Sequence, residues 1–458
     1  MRQIKEEKKQ MMLNDNIHSL IVRMAIPTIV AQLITTVYNL VDTYFVSTLG
    51  TYATAAVGVN NSLERTITLI GSLIGSGACS YIARLLGAKK DENANNVLST
   101  SFFTGLALGL ILTVFGIIFI TPLVNFLGAT DECRIYSIQY ASYVLYAAPF
   151  MIGSFILNMC LRSEGSARLA MIGIGFGGVL NCVLDPIFIY TLNLGVAGAS
   201  MATAISKTIS FFILLYPYIR KRCSVQLSLR KIKFRLNDFK EVVSIGSTSF
   251  LRSCFGVVAG IVTNRVAGGF STAALAALSL SNRVMDFPFA VILGFGMGYQ
   301  PVVGFNWGAK QKERVKESLS FAMRVSLVGA AAVGVVLFIF ARQVVGIFNS
   351  QADGEVLRLG MLCIRLQCFT LAIHSWLSLV NMFYAGIGKA KYALLLSTAR
   401  QGYCFIPLLF ILPVLFGANG LAATQATADL LTLAVVIPLC IKAYKMIAEM
   451  EPSGEVRQ

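Results

Sequence analysis

Long apolar runs separated by short polar segments dominate the chain. Twelve runs stand out: 20–47, 53–86, 97–120, 135–161, 168–190, 195–219, 241–267, 273–306, 317–340, 356–385, 392–416 and 419–446. About 20 consecutive apolar residues let a helix cross a bilayer. In lipid only helices and closed barrels satisfy every backbone polar group internally. The pattern therefore predicts an all-α polytopic membrane protein with twelve transmembrane helices. Several runs exceed the minimum length, so their helices should tilt or protrude.

The polar segments alternate in charge. The N-terminus, Arg84/Lys89/Lys90, Arg162/Arg168, 220–240, Lys310/Lys312/Arg314/Lys316, Lys389/Lys391 and Lys442/Lys445 form a basic set. Segments 48–53, 191–195 and 417–419 carry no Lys or Arg, and 121–134 has Arg134 beside Asp131 and Glu132. Lys and Arg collect in cytoplasmic loops, so both termini are expected in the cytoplasm, as an even number of spans requires. Residues 1–16 are charged and polar with no signal-peptide pattern. The expected location is the inner (cytoplasmic) membrane, as a multi-pass protein.

A repeat with an offset near 222 relates the two halves. Gly75-x-Gly77…Gly87-Ala88-Lys89 matches Gly296-x-Gly298…Gly308-Ala309-Lys310, Gly165-Ser-Ala167 matches Gly388-Lys-Ala390, and Gly195-x-x-Gly198 matches Gly417-x-x-Gly420. Six spans per half is an even number, so the halves share one orientation. The prediction is two pseudo-symmetric six-helix bundles: an N-lobe (1–219), a basic cytoplasmic linker (220–240) that can lie on anionic lipid, and a C-lobe (241–458). A parallel repeat of this kind places a cavity between lobes and permits alternating access. A monomer in contact with membrane lipid is the expected form.

Composition narrows the class. Of 458 residues 56% are hydrophobic and 13% charged, against about 25% charged in soluble proteins; mean hydropathy is +0.71. The net charge of +16 sits in loops and implies no nucleic-acid partner. The ten cysteines are scattered, without Cys-x-x-Cys or metal spacing, and read as packing residues. No P-loop is present, which disfavours an ATP-driven pump. The Gly-x-Gly-Asp of intramembrane aspartyl proteases is missing too, so no enzyme is expected, and no cofactor beyond a coupling ion.

Acids inside apolar spans mark ion or substrate paths. Asp42 lies near the outer end of the first span and Asp185 near the outer end of the fifth, so the rise of 1.5 Å per residue puts both in the outer half of the bilayer within one lobe. Tyr38 and Asn181 each precede an acid by four residues and share its helix face. Thr203 on the sixth span falls at a similar depth. These oxygens suit a proton or a hard cation: Asp42, Asn181, Asp185 and Thr203 form a candidate Na⁺ site, and burial favours a protonated carboxyl. At the repeat offset Asp42 meets Asn264, Asp185 meets Pro407 and Asn181 meets Tyr403, so the coupling site is expected in the N-lobe alone. Pro27, about four turns below Asp42, is a candidate hinge. In the second half Arg283 and Asp286, spaced i,i+3, are expected to pair. Asp286, Arg283, Asp429 and His374 are second-rank candidates for substrate or ion contact, and Arg252, Arg324, Arg365 and Arg400 also lie in or near apolar spans. Methionines and phenylalanines are plentiful enough to line an adaptable cavity.

Five segments together resemble the multidrug and toxic compound extrusion (MATE) transporters, and among them the DinF-like prokaryotic branch: Tyr38-Asn-Leu-Val-Asp42, Arg84-Leu-Leu-Gly-Ala-Lys89, Leu161-Arg-Ser-Glu-Gly165, Asn181-x-x-x-Asp185-Pro-Ile-Phe and Gly195-x-x-Gly198-Ala-Ser-x-Ala-Thr203. The resemblance implies a two-lobed twelve-helix fold and secondary active antiport of cationic or amphipathic compounds against H⁺ or Na⁺. It carries the family's N-lobe network onto Tyr38, Asp42, Asn158, Asn181, Asp185 and Thr203, and its helix bend onto Pro27. The glutamate and aspartate that the NorM-like branch carries in its second lobe are missing: Ser249-Phe-Leu-Arg252 offers no acid, and His374 stands on the tenth span. The competing expectation is a flippase or exporter of a lipid-linked or other amphipathic endogenous substrate, for which the second-half arginines would serve phosphates.

Overall fold

The apolar runs fold as helices throughout the residues described in this computed structural model, 2–348 and 354–451. Residues 1, 349–353 and 452–458, which belong to the expected lobe ranges, lie outside that description. The order is α1 (Arg2–Asn14), α2 (Ile17–Ser47), α3 (Thr51–Gly87), α4 (Asp91–Ile118), α5 (Ile120–Phe126), α6 (Arg134–Ser163), α7 (Ala167–Pro186), α8 (Gly195–Ile219), α9 (Leu236–Phe270), α10 (Thr272–Gly308), α11 (Lys312–Phe348), α12 (Gly354–Gly386), α13 (Ala390–Thr398) and α14 (Phe405–Ala448). Gly417, at φ +59°, kinks α14 into two arms. The eleventh span is therefore α13, a π-turn (Ala399–Tyr403) and the first arm of α14; the second arm is the twelfth.

The twelve spans group as read from the sequence, α2–α4 and α6–α8 in one lobe and α9–α14 in the other. The same details recur at the repeat offset. Asn158 Nδ2 donates to the Ala170 carbonyl at 2.8 Å, and Asn381 Nδ2 to that of Ala393 at 2.6 Å. Lys89 and Lys310 share positive φ values of 59° and 56°.

Between the lobes, α2 packs on α10, and α3 on both α9 and α10. The closest approach joins the start of α9 to the second half of α3. A Cβ on Gly77 would overlap the Val242 carbonyl, and one on Gly246 the Leu73 carbonyl; only glycine lets the backbones meet. Hydrogen bonds across this joint run from Thr28 Oγ1 to Gly294 O (2.6 Å), Tyr81 Oη to Asp238 (2.8 Å) and Arg84 Nη2 to Glu241 (2.8 Å). All of these lie toward the end that carries the basic loops. Pro27 is buried in the same joint, within an α2 that runs through it as one helix.

Two polar segments carry more structure than their composition implied. Residues 2–14 form α1, tied down by Lys8 to Glu164 (3.1 Å) and Lys9 to Asp91 (2.9 Å). The linker is strapped to the N-lobe by its backbone amides. Its Ser224 and Val225 amides donate to the buried Glu164 carboxylate, Gln226 N–H to Asn95 (2.6 Å) and Ser228 N–H to Ser99 (3.2 Å).

Candidate functional site

The N-lobe site is built where α2, α3, α6, α7 and α8 meet. Gly178 on α7 lets Tyr38 of α2 lie against it: a Cβ there would sit 3.0 Å from the ring. Asp42 follows one turn beyond Tyr38, and Asp185 two turns beyond Gly178. Asp185 is fully buried at the end of α7, where Pro186 removes an amide donor and a π-turn (Ile187–Thr191) follows. Single π-turns are frequent at functional sites.

Asn181 Nδ2 donates to Asp185 Oδ1 (3.1 Å) and lies 3.3 Å from Thr203 Oγ1. That leaves Asp185 Oδ2 and Asp42 Oδ1 buried with no hydrogen-bond partner. Asp42 and Asp185 are close enough to feel each other's charge, although the side chain of Asp42 stays partly exposed. Buried polar oxygens are almost always satisfied, and a proton or a cation between them would satisfy these two. Asp42, Asp185, Asn181 and Thr203 would hold it; two carboxylates, an amide and a hydroxyl are a hard-cation donor set.

Two charged residues complete the site that the sequence reading had passed over. Glu64 on α3 accepts a hydrogen bond from Tyr140 Oη (3.0 Å), and Tyr140 lies within electrostatic reach of Glu64, Asp42 and Asp185. Lys207 on α8, one turn past Thr203, donates to Tyr38 Oη (2.8 Å) and sits 4.6 Å over the same ring; its charge reaches Asp42 and Glu64. Both stand as charges inside apolar spans, and that was the signal that could have found them. Tyr38 is thus held by Lys207 instead of bonding the acid on its own helix face. Asn158 takes no direct part either: its amide ties α6 to α7, as Asn381 does in the lobe without the acids.

The C-lobe is organised differently. Arg400, on the π-turn after α13, bonds Asp429 through Nε at 2.8 Å. Asp429 also accepts from Gln425 (3.1 Å) and Thr370 (3.2 Å). The Arg400 guanidinium lies 4.5 Å over Phe289, whose ring meets His374 edge-on at 4.8 Å. Arg283 and Asp286 are both exposed and form no direct ion pair among the described residues. Asp286 instead feels Arg65 of the N-lobe as well as Arg283.

The MatE family model matches the chain twice, over residues 27–187 and 249–411. The two matches begin 222 residues apart, at the offset of the internal repeat. The multidrug export protein MepA of Staphylococcus saprophyticus is 28% identical over 428 residues, 93% of this chain and 94% of that protein; MepA of Staphylococcus haemolyticus is 27% identical over the same shares. A structure described as the outward-facing conformation of a multidrug resistance MATE family transporter of the MOP superfamily is similar at a TM-score of 0.89 and 27% identity, over 96% of this chain and 98% of that one. Matched by the family model over most of its length and folded in the same two lobes, the chain belongs to the MatE family of membrane transporters, and is a transporter and not an enzyme.

Proposed function

We propose that this multi-pass membrane protein, a multidrug efflux transporter of small molecules, works as a secondary antiporter that exchanges cationic and amphipathic compounds for H⁺ or Na⁺ bound at Asp42 and Asp185. The observation that carries the reading is the pair of unpartnered oxygens, Asp42 Oδ1 and Asp185 Oδ2, buried in one lobe beside Asn181 and Thr203. A carboxylate in this setting gains from a proton or a cation, and loses that gain when a cationic substrate or Lys207 competes for its field. Glu64 and Tyr140 widen the acidic surface, so that more than one cation can be drawn to it. The printed name of the MepA relatives supports drug export for this chain as well.

The basic loops, read as cytoplasmic, place both termini inside. The tight glycine contacts and the Tyr81–Asp238 and Arg84–Glu241 bonds would then lie on the cytoplasmic side, which supports an outward-open arrangement. Occupation of the acids would bias the two lobes between this and an inward-open packing, with Pro27 in the joint as the flexible point; a ligand can shift such an equilibrium only by its differential affinity for the two states.

Everted membrane vesicles loaded with a cationic dye test the reading, with pH and sodium gradients imposed separately. One of the two gradients is expected to drive dye movement in the unmodified protein and in neither Asp42→Asn nor Asp185→Asn. Gradient-driven transport persisting in both variants would overturn it.

A further inference from the structure

The C-lobe holds a basic cluster that the coupling site does not use. His374 on α12 lies within electrostatic reach of both Arg252 on α9 and Arg400 on the π-turn. The carboxylate beside Arg400, Asp429, already has three donors: Oδ1 accepts from Arg400 and Gln425, and Oδ2 from Thr370. Arg252 is not among its donors, and it forms no hydrogen bond, ion pair or ring contact among the described residues although it is half-buried within an apolar span. Arg400 uses only Nε, so its Nη pair is also open. The Nδ1 atom of His374 is buried without a partner. Gln401 packs beside Gly256, one turn beyond Arg252, which brings α9 against the π-turn.

A guanidinium in an apolar setting without a counter-charge is costly, and two guanidinium groups with open donors match the forked geometry of a phosphate or carboxylate. The surroundings are apolar. Phe289 lies under Arg400 and meets His374 edge-on. We propose that Arg252, Arg400 and His374 form an anion-recognition site for the phosphate or carboxylate head of an amphipathic substrate. The inference rests on the space between the lobes being the substrate path, but not on ion coupling.

Equilibrium binding to the purified protein in a neutral maltoside detergent, with no ion gradient, separates the two. The probes are dodecyl phosphate, inorganic phosphate and dodecyltrimethylammonium. Dodecyl phosphate is expected to bind saturably, and inorganic phosphate at least about tenfold more weakly, because it lacks the chain. Arg252→Gln is expected to weaken dodecyl phosphate roughly tenfold, the value of one charge-assisted hydrogen bond. Arg252→Lys should restore most of that affinity, as a positive charge remains. Arg324→Gln, which removes an equal charge from the exposed face of α11, should leave the affinity unchanged and so excludes a non-specific charge effect. Monodisperse elution of each variant reports folding. The proposal is overturned if dodecyl phosphate does not bind, if Arg252→Gln binds it as the unmodified protein does, or if Arg324→Gln loses as much affinity as Arg252→Gln. Equal binding of dodecyltrimethylammonium and dodecyl phosphate, with both indifferent to Arg252, would also overturn it. Tight binding of inorganic phosphate would make the head group alone the ligand and remove the lipid-like substrate.

Discussion

The two lobes repeat one scaffold with opposite charge. Counting from Gly195 and Gly417, which both turn with positive φ, Lys207 of the N-lobe and Asp429 of the C-lobe occupy equivalent places. In the N-lobe the Lys207 ammonium lies within reach of Asp42 and Glu64, and Asp185 lies within reach of Asp42; in the C-lobe the Asp429 carboxylate is bonded by Arg400, and His374 lies within reach of Arg400 and Arg252. The N-lobe π-turn follows Asp185 at the end of its span, whereas the C-lobe π-turn interrupts its span earlier and carries Arg400. A duplicated bundle therefore supplies two sites of unlike chemistry, because backbone packing holds the helices and leaves the residues between them free to differ.

The largest expected effect tests whether the acids belong to one lobe alone. Asp42→Asn or Asp185→Asn is expected to reduce gradient-driven dye efflux to the level of vesicles without the protein. Adding Asn264→Asp, at the repeat position of Asp42, is not expected to restore it. Restoration would mean that the C-lobe scaffold can house the coupling site too.

The next prediction concerns the unlike partners of Lys207 and Asp429. Asp429→Asn leaves the buried Arg400 without its carboxylate and is expected to destabilise the protein by about 3–5 kcal/mol, as seen when one partner of a buried ion pair is removed. Lys207→Met, at a half-buried position whose partner is a phenol, is expected to cost no more than about 1.5 kcal/mol. Thermal unfolding in detergent compares them, and equal losses would erase the contrast drawn between the lobes.

Closure at the joint comes third. Gly246→Ala pushes a methyl into the Leu73 carbonyl, and overpacking of this kind costs about 1–3 kcal/mol. It is expected to lower the unfolding temperature and to raise the labelling of a cysteine placed on the basic-loop side of the joint. Unaltered labelling would show that the joint does not seal that side.

The smallest effect is the most discriminating for Asn158. If its work is to tie α6 to α7, Asn158→Ala and Asn381→Ala should each cost about 1–3 kcal/mol, the penalty of an orphaned buried carbonyl, with dye efflux rescaled only by the amount of folded protein. A specific loss of efflux in Asn158→Ala alone would return that residue to the coupling network.

Much of the fold was legible because lipid forces it. A run of apolar residues long enough to cross the bilayer has one way to satisfy its backbone, so twelve spans, a repeat and two lobes could be read directly from pattern and glycine spacing. What escaped were cases in which a polar residue acts through a partner far away in sequence. Glu64 and Lys207 were visible as charges in apolar runs, but nothing local tells that one bonds Tyr140 and the other Tyr38 across helices. The reading of Tyr38 as the companion of Asp42 followed helical spacing and was overridden by a lysine 169 residues away. The linker read as a basic tether because charge dominates its composition, while its attachment depends on backbone amides meeting Glu164.

The sequence by itself determined that the chain crosses a membrane many times, that its halves are copies, and that the acids at positions 42 and 185 have no acidic counterpart in the second copy, since length, polarity and spacing are local quantities. Which oxygens stay unpartnered, which arginine finds a carboxylate and which end of the molecule is closed were decided only by the tertiary structure. These depend on distances between helices, and such distances are set by where glycines let backbones approach.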